Sequence, residues 1–258
     1  MNDLISQLTA LSGVGQDMLW QGLMVFMRVG AVMSLLPAFG EQVIPQRVRL
    51  VLALAFTAVV APSVLHLPNF ADGAITPLLI ETVNGLLLGM ALRLFVMALQ
   101  IAGTMAAQAS TLSQMFGDAG PEPQPAISNL LVMAGLALAV TTGFHVRVAQ
   151  YLILSYEMLP AGMLPSASDA TTWGIAQISR AFVLAFSLAA PFTIAALLYN
   201  IALGVVNRAM PALMVSFIGA PALTLGGLAL MAVTLPLALA LWSRALQGFF
   251  AAPFQALP

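Results

Sequence analysis

Long runs of apolar residues dominate the chain and are separated by short polar or proline-containing stretches. A transmembrane helix needs about 20 mostly apolar residues, because the hydrocarbon core is about 30 Å thick and a helix rises about 1.5 Å per residue. The runs of this kind predict about six hydrophobic helices, at 18–39, 50–67, 81–102, 127–145, 181–206 and 212–242. The pattern therefore predicts an all-α, polytopic membrane protein that forms a single domain over 1–258.

Two stretches outside these runs have a mixed pattern. Residues 102–125 begin with small and polar side chains at helical spacing and end in an acidic, proline-rich sequence. They are either a re-entrant or pore-facing hairpin, or a helix extension followed by an ordinary turn. Residues 146–160 have too few consecutive apolar residues to span a membrane. We predict an amphipathic helix there, at the membrane surface or packed on a neighbouring helix.

Composition agrees with a membrane protein and removes several classes of function. The chain is 61% hydrophobic and 7% charged, and its mean hydropathy is +1.00. It has no cysteine, so thiolate metal sites are excluded, and all eight basic residues are scattered arginines, which form no nucleic-acid-binding face. No catalytic constellation is present, and we expect a protein that is not an enzyme and needs no metal or cofactor. The loop arginines, three against three, favour neither orientation.

Polar and helix-breaking residues interrupt the predicted spans. Arg28 lies near the middle of the first span and Arg93 lies within the third. An arginine at a helix centre costs about 2.5–3.5 kcal/mol on an insertion scale. Each proline within a run also removes an amide donor and favours a kink; these are Pro62, Pro191, Pro221 and Pro236. We therefore expect bent, broken helical hairpins whose polar parts face other protein or a water-filled path.

The sequence NRAMP at 207–211 separates the last two apolar runs. It predicts the turn of a long helical hairpin, in which Pro211 ends or begins a helix. Asn207 and Arg208 are placed to cap carbonyl groups at the end of the preceding helix. Gly219 and Pro221 are expected to break the second arm of the hairpin early.

Four stretches of the sequence resemble the FliR family of bacterial type III protein export gates. They are FMRVGAVMSLLPAFGEQVIPQRVRLVLALAFTAVVAP at 26–62, GLLLGMALRLFVMALQIAG at 85–103, His145 followed by LPAG at 159–162, and NIALGVVNRAMPALMVSFIGAP at 200–221. The chain departs from the family pattern at Thr104, where a glutamate is common. The resemblance marks as assembly residues Arg28, Pro45, Arg47, Arg49, Arg93, Asn207, Arg208, Pro211, Gly219 and Pro221.

The resemblance implies a structural and gating subunit that assembles with FliP- and FliQ-type subunits into a closed helical ring through which unfolded export substrates pass. It also implies FlhA- and FlhB-type partners, contact with membrane lipid but not nucleic acid, and a place in the inner membrane at the flagellar basal body. Flexible thioether and aromatic side chains suit a deformable seal. The pore and plug candidates are Met105, Gln108, Met115, Phe116 and Gly117.

A small secondary transporter of an anionic solute is the alternative function. In that class of protein, broken helices and a midplane arginine bind the substrate. A transporter should act alone or as a homo-oligomer, whereas a gate subunit should co-purify with FliP- and FliQ-type proteins.

Overall fold

The computed structural model describes residues 2–37, 44–64, 75–110, 126–209 and 215–255. These residues form seven α-helices and one short 3-10 helix at Ala61–Val64, with no strand among them. The all-α prediction is confirmed. The α-helices are α1 Asn2–Leu35, α2 Gln46–Val60, α3 Ile75–Ser110, α4 Ala126–Thr141, α5 Phe144–Met158, α6 Ala167–Ala209 and α7 Val215–Ala251.

Among the described residues, five segments are long and apolar enough to cross a membrane, and they correspond to five of the predicted runs. They are Met18–Leu35, Gln46–Val64, Ile75–Gln108, Ala167–Val206 and Leu225–Ala251. A sixth exists if α4 and α5, which meet at a bend of 74°, are counted as one broken span. The bend lies at Gly143, whose φ of 81° is left-handed and suits glycine because other side chains clash there. The helix predicted at 146–160 is α5.

The first part of the region 102–125 is helical. Residues 102–110 continue α3, as the helix-extension interpretation predicts, and 111–125, which would contain the turn in either interpretation, lies outside the described residues. The small side chains here have a packing role. A Cβ atom at Gly103 would overlap the backbone of Ser128 in α4, so the glycine lets α3 and α4 approach closely.

The predicted early break at Gly219 and Pro221 is also wrong. Helix α7 begins at Val215 and runs through both residues, because a proline in a helix removes one backbone hydrogen bond without preventing the next turn. Pro191 is likewise inside α6. Pro62, in contrast, lies in the 3-10 helix that follows the end of α2. Pro211 lies outside the described residues.

The chain folds into two compact units. Unit one consists of residues 1–93, 143–177 and 252–258, and unit two consists of residues 94–142 and 178–251. In unit one, α1 and α3 run parallel and touch at Gly85 and Gly89. A Cβ atom at Gly85 would overlap the carbonyl oxygen of Arg28, and one at Gly89 would lie 3.1 Å from Val32. The two glycines therefore set the distance between these helices.

An aromatic cluster completes unit one. The ring of Phe254 stacks on Tyr151 at 5.5 Å and on Trp173 at 6.5 Å between centroids. The indole Nε1 of Trp173 donates a hydrogen bond of 3.0 Å to the carbonyl of Pro253. The short segment after α7 is thus held in the interior of unit one.

Unit two is built from the second half of α3, α4, α7 and most of α6. Trp242 is almost fully buried, and its Nε1 donates to the carbonyl of Phe95 at 2.9 Å. Gly135 of α4 leaves room for Leu99 of α3. Helices α6 and α7 approach each other where Leu188 of one and Ala238 of the other line the same small apolar cavity. This agrees with the predicted hairpin.

Candidate functional site

The most unusual site in the described residues is a buried ion pair between α1 and α3. Arg28 and Glu81 both have no exposed surface. Nε of Arg28 lies 2.6 Å from Oε2 of Glu81, and Nη2 donates to Oε1 at 3.1 Å. The guanidinium and the carboxylate therefore meet in a two-bond fork, the strongest geometry for this pair.

The guanidinium of Arg28 also contacts groups outside Glu81. Nη1 donates to the hydroxyl oxygen of Ser155 at 3.1 Å, and Nη2 donates to the carbonyl of Leu159 at 2.9 Å. The guanidinium carbon lies 3.7 Å from the centroid of the Tyr156 ring, which adds a cation–π attraction. The cost of placing Arg28 in an apolar span is thus offset by protein groups rather than by lipid.

The carboxylate oxygens of Glu81 also accept hydrogen bonds from groups other than Arg28. It accepts a hydrogen bond from the backbone N–H of Gly162 at 2.9 Å and one from the hydroxyl of Tyr156 at 3.4 Å. With both charges paired and hydrogen-bonded, the cluster is neutral and stable in the interior. Through these contacts the cluster links α1, α3 and α5.

Sequence reasoning singled out Arg28 but missed its partners. Glu81 is the only acidic residue in α3, but it is the first residue of the predicted run 81–102, so the sequence pattern does not mark it as a charge within a span. A single carboxylate in one apolar helix and a single central arginine in another is the signal that could have identified the pair. Ser155 and Tyr156 gave no such signal, because their alignment with Arg28 depends on how α5 packs.

The predicted assembly residues that the structure describes are distributed over α1, α2, α3, α6 and α7. Arg93 is half-buried in α3 and takes part in an interaction of its own. Pro45 precedes α2 as its N-terminal flanking residue. In the first turn of α2, Arg47 is exposed and Arg49 is half-buried.

The remaining predicted residues lie at the ends of α3, α6 and α7. Asn207 and Arg208 are in the last turn of α6, with the Arg208 side chain exposed, and Gly219 and Pro221 are in the first turns of α7. Met105 is half-buried and Gln108 is exposed near the end of α3. The other pore and plug candidates, Met115, Phe116 and Gly117, fall outside the described residues.

Comparison with known proteins places this architecture in a family. The family described as bacterial export proteins, family 1, matches residues 19–249. The flagellar biosynthetic protein FliR of Caulobacter vibrioides is 33% identical over 218 residues, which cover 82% of this chain and 87% of the relative. The chain belongs to the FliR family.

Other FliR proteins give the same result across distant bacteria. FliR of Escherichia coli is 31% identical over 215 residues, covering 82% of each chain. FliR of Aquifex aeolicus is 28% identical over 234 residues, covering 88% of this chain and 90% of the relative. The range 19–249 that the family model matches contains Arg28, Glu81 and all of α6. Membership of an export family also identifies the chain as a structural membrane component, not an enzyme, as the sequence predicted.

Proposed function

We propose that this chain is the FliR-type subunit of the gate through which a type III apparatus exports unfolded proteins. As a member of the FliR family, it is a membrane-embedded component of the flagellar export apparatus. The finer proposal is that it assembles with FliP- and FliQ-type subunits into a channel, next to FlhA- and FlhB-type proteins, in the inner membrane at the flagellar basal body.

The observation that carries the proposal is the length of the apolar surface on α6. Large exposed side chains continue from Ile178 to Val206, which is roughly 42 Å along a helix at about 1.5 Å per residue. The hydrocarbon core is about 30 Å thick, and even a tilt of about 40° lengthens the path through it only to about 39 Å. Lipid alone therefore leaves part of this surface in water.

The low burial of α6 and α7 supports the same inference. Only 28% of the span Ala167–Val206 and 11% of the span Leu225–Ala251 are buried within this chain. In a membrane protein, exposed apolar area of this kind faces lipid or a neighbouring subunit, and the part of it on α6 that extends beyond the hydrocarbon core needs a subunit. Neighbouring subunits with similar hairpins would cover it, which favours assembly into a ring over a transporter that acts alone.

The plug remains part of the proposal. Met105 and Gln108 lie near the end of α3, and the candidates Met115, Phe116 and Gly117 follow within the next seven residues of the sequence. Flexible apolar side chains at this position would close the channel to ions and yield to varied substrates.

Co-purification tests the proposed assembly. We expect the tagged chain, expressed with the FliP- and FliQ-type subunits of the same bacterium and extracted in mild detergent, to elute with both as one complex. A stable, monodisperse chain that binds neither subunit would contradict the proposal and favour the transporter class.

A further inference from the structure

The backbone of the turn between α5 and α6, residues 159–164, is hydrogen-bonded to buried side chains of α1 and α3. Three of its backbone groups are bonded at 2.9 Å: the Leu159 carbonyl to Arg28, the Gly162 N–H to Glu81 and the Met163 carbonyl to Asn84. The three side chains that hold it have no exposed surface. The turn is therefore fixed by the interior of unit one.

The turn is also closed internally. The N–H of Met163 donates to the carbonyl of Pro160 at 3.2 Å, and Gly162 has a left-handed φ of 73°. A surface loop usually leaves such groups to water. Because this turn already has protein partners for them, it is ordered before any partner arrives, and ordering costs little when it binds.

The outer side of the turn carries two adjacent apolar side chains. Met163 is 63% exposed and Leu164 is 53% exposed. Carboxylates flank them in the sequence: Glu157 is exposed in the last turn of α5, and Asp169 bonds to the hydroxyl of Ser166 at 2.6 Å in the first turn of α6. Charges of this kind are costly in hydrocarbon, and anionic lipid headgroups repel them. Lipid is therefore a poor match for this surface.

We propose that the turn 159–164 is a preformed docking knob, whose Met163 and Leu164 insert into an apolar pocket with a basic rim in the complex of FliP- and FliQ-type subunits. This inference rests on the proposed function, because the partner belongs to that assembly. The apolar tip supplies the anchor, and Glu157 and Asp169 supply charge complementarity at the rim.

Paired serine variants test the knob. We expect Met163→Ser with Leu164→Ser to lower recovery of the complex with the FliP- and FliQ-type subunits at least about tenfold, the effect typical of losing two anchoring side chains. Met18→Ser with Leu19→Ser is the matched control, because these adjacent residues are of the same types and are 62% and 79% exposed. The control should keep most of the complex.

Two results of this experiment would overturn the knob while leaving the proposed function intact. One is unchanged recovery of the 163/164 variant; the other is an equal loss in the control, which would reflect apolar surface in general. Failure of the wild-type chain to bind either subunit would instead overturn the proposed function, and the partner named here with it.

A crosslinking measurement needs only one substitution and does not depend on the double variant folding. The chain has no cysteine, so Leu164→Cys provides a single thiol for a maleimide–benzophenone label in membranes that contain the whole apparatus. We expect a crosslinked product whose mass equals this chain plus one FliP- or FliQ-type subunit. Crosslinks to lipid only would contradict the knob. So would the absence of any crosslink from position 164 when a Leu19→Cys chain, labelled in the same way, gives a crosslinked product.

Discussion

At the scale of single residues, the Arg28–Glu81 pair explains how a helix with a central arginine is stable. Both side chains are fully buried, and the bonds described above involve every nitrogen of the guanidinium and both oxygens of the carboxylate. Such a pair adds little net stability compared with well-packed apolar residues, but removing one partner leaves an unpaired charge. If one of the two residues is present, the fold therefore needs the other as its counter-charge.

We expect Arg28→Leu to lower the free energy of unfolding by about 3–5 kcal/mol, because Glu81 then stays buried without a counter-charge. Chemical unfolding of the detergent-purified protein measures this change. Arg47→Leu is the control, since Arg47 is exposed, and it should change stability little. Arg28→Met combined with Glu81→Leu should recover most of the loss. An Arg28→Leu variant as stable as wild type would show that the pair is not needed.

At the scale of helices, the sequence predicts where apolar helices lie better than how they pack. The runs at 18–39, 50–67 and 81–102 all overlap spans of the structure, because hydrophobic length is a local property. The small residues at 102–110 were open to two interpretations, since small side chains occur both in loops and in close helix contacts. The helix through Ser110 and the close approach of Gly103 to Ser128 on α4 show that at least Gly103 serves a helix contact.

The candidate site shows the same limit. A central arginine needs a partner on physical grounds, so Arg28 could be predicted from the sequence. That the partner is Glu81 follows from the parallel packing of α1 on α3, and the roles of Ser155 and Leu159 follow from the path of α5. These are contacts between distant parts of the chain, which no local pattern specifies.

The close contact of α1 and α3 gives a prediction for Gly85. A methyl group there would overlap the carbonyl oxygen of Arg28, so Gly85→Ala should force α1 and α3 apart and cost about 1–3 kcal/mol. Gly174→Ala is the matched control. It is also in a helix, has open space around its Cα, and should gain about 0.5–1 kcal/mol. Thermal unfolding of both variants compares them; equal shifts would mean that α1 and α3 adjust freely.

At the scale of the whole molecule, each of the two units draws on distant parts of the sequence. Unit one takes its last piece from residues 252–258, and Phe254 of that piece is only 6% exposed. Its contacts with Tyr151 and Trp173 make this short segment part of the core of unit one rather than a loose end.

We expect Phe254→Ala to lower the free energy of unfolding by about 3–5 kcal/mol, the usual cost of emptying a buried phenylalanine site. Phe186→Ala is the control, because Phe186 is 57% exposed on α6 and its loss should change the stability of the isolated chain little. Chemical unfolding of the two purified variants gives the comparison. Similar stability for both would mean that the segment after α7 contributes no core packing.

The position of Phe254 in the sequence also affects how the protein is made. Domains generally fold as the ribosome delivers them, beginning with the N-terminal part. Here the acceptor for the Trp173 indole, the carbonyl of Pro253, is synthesised about 80 residues after the tryptophan itself. The aromatic cluster of unit one therefore lacks Phe254 until α7 has been synthesised. The core of unit one closes only after translation of the last helix is complete, so chains cut short before residue 253 should be recognised as unfinished by cellular proteases.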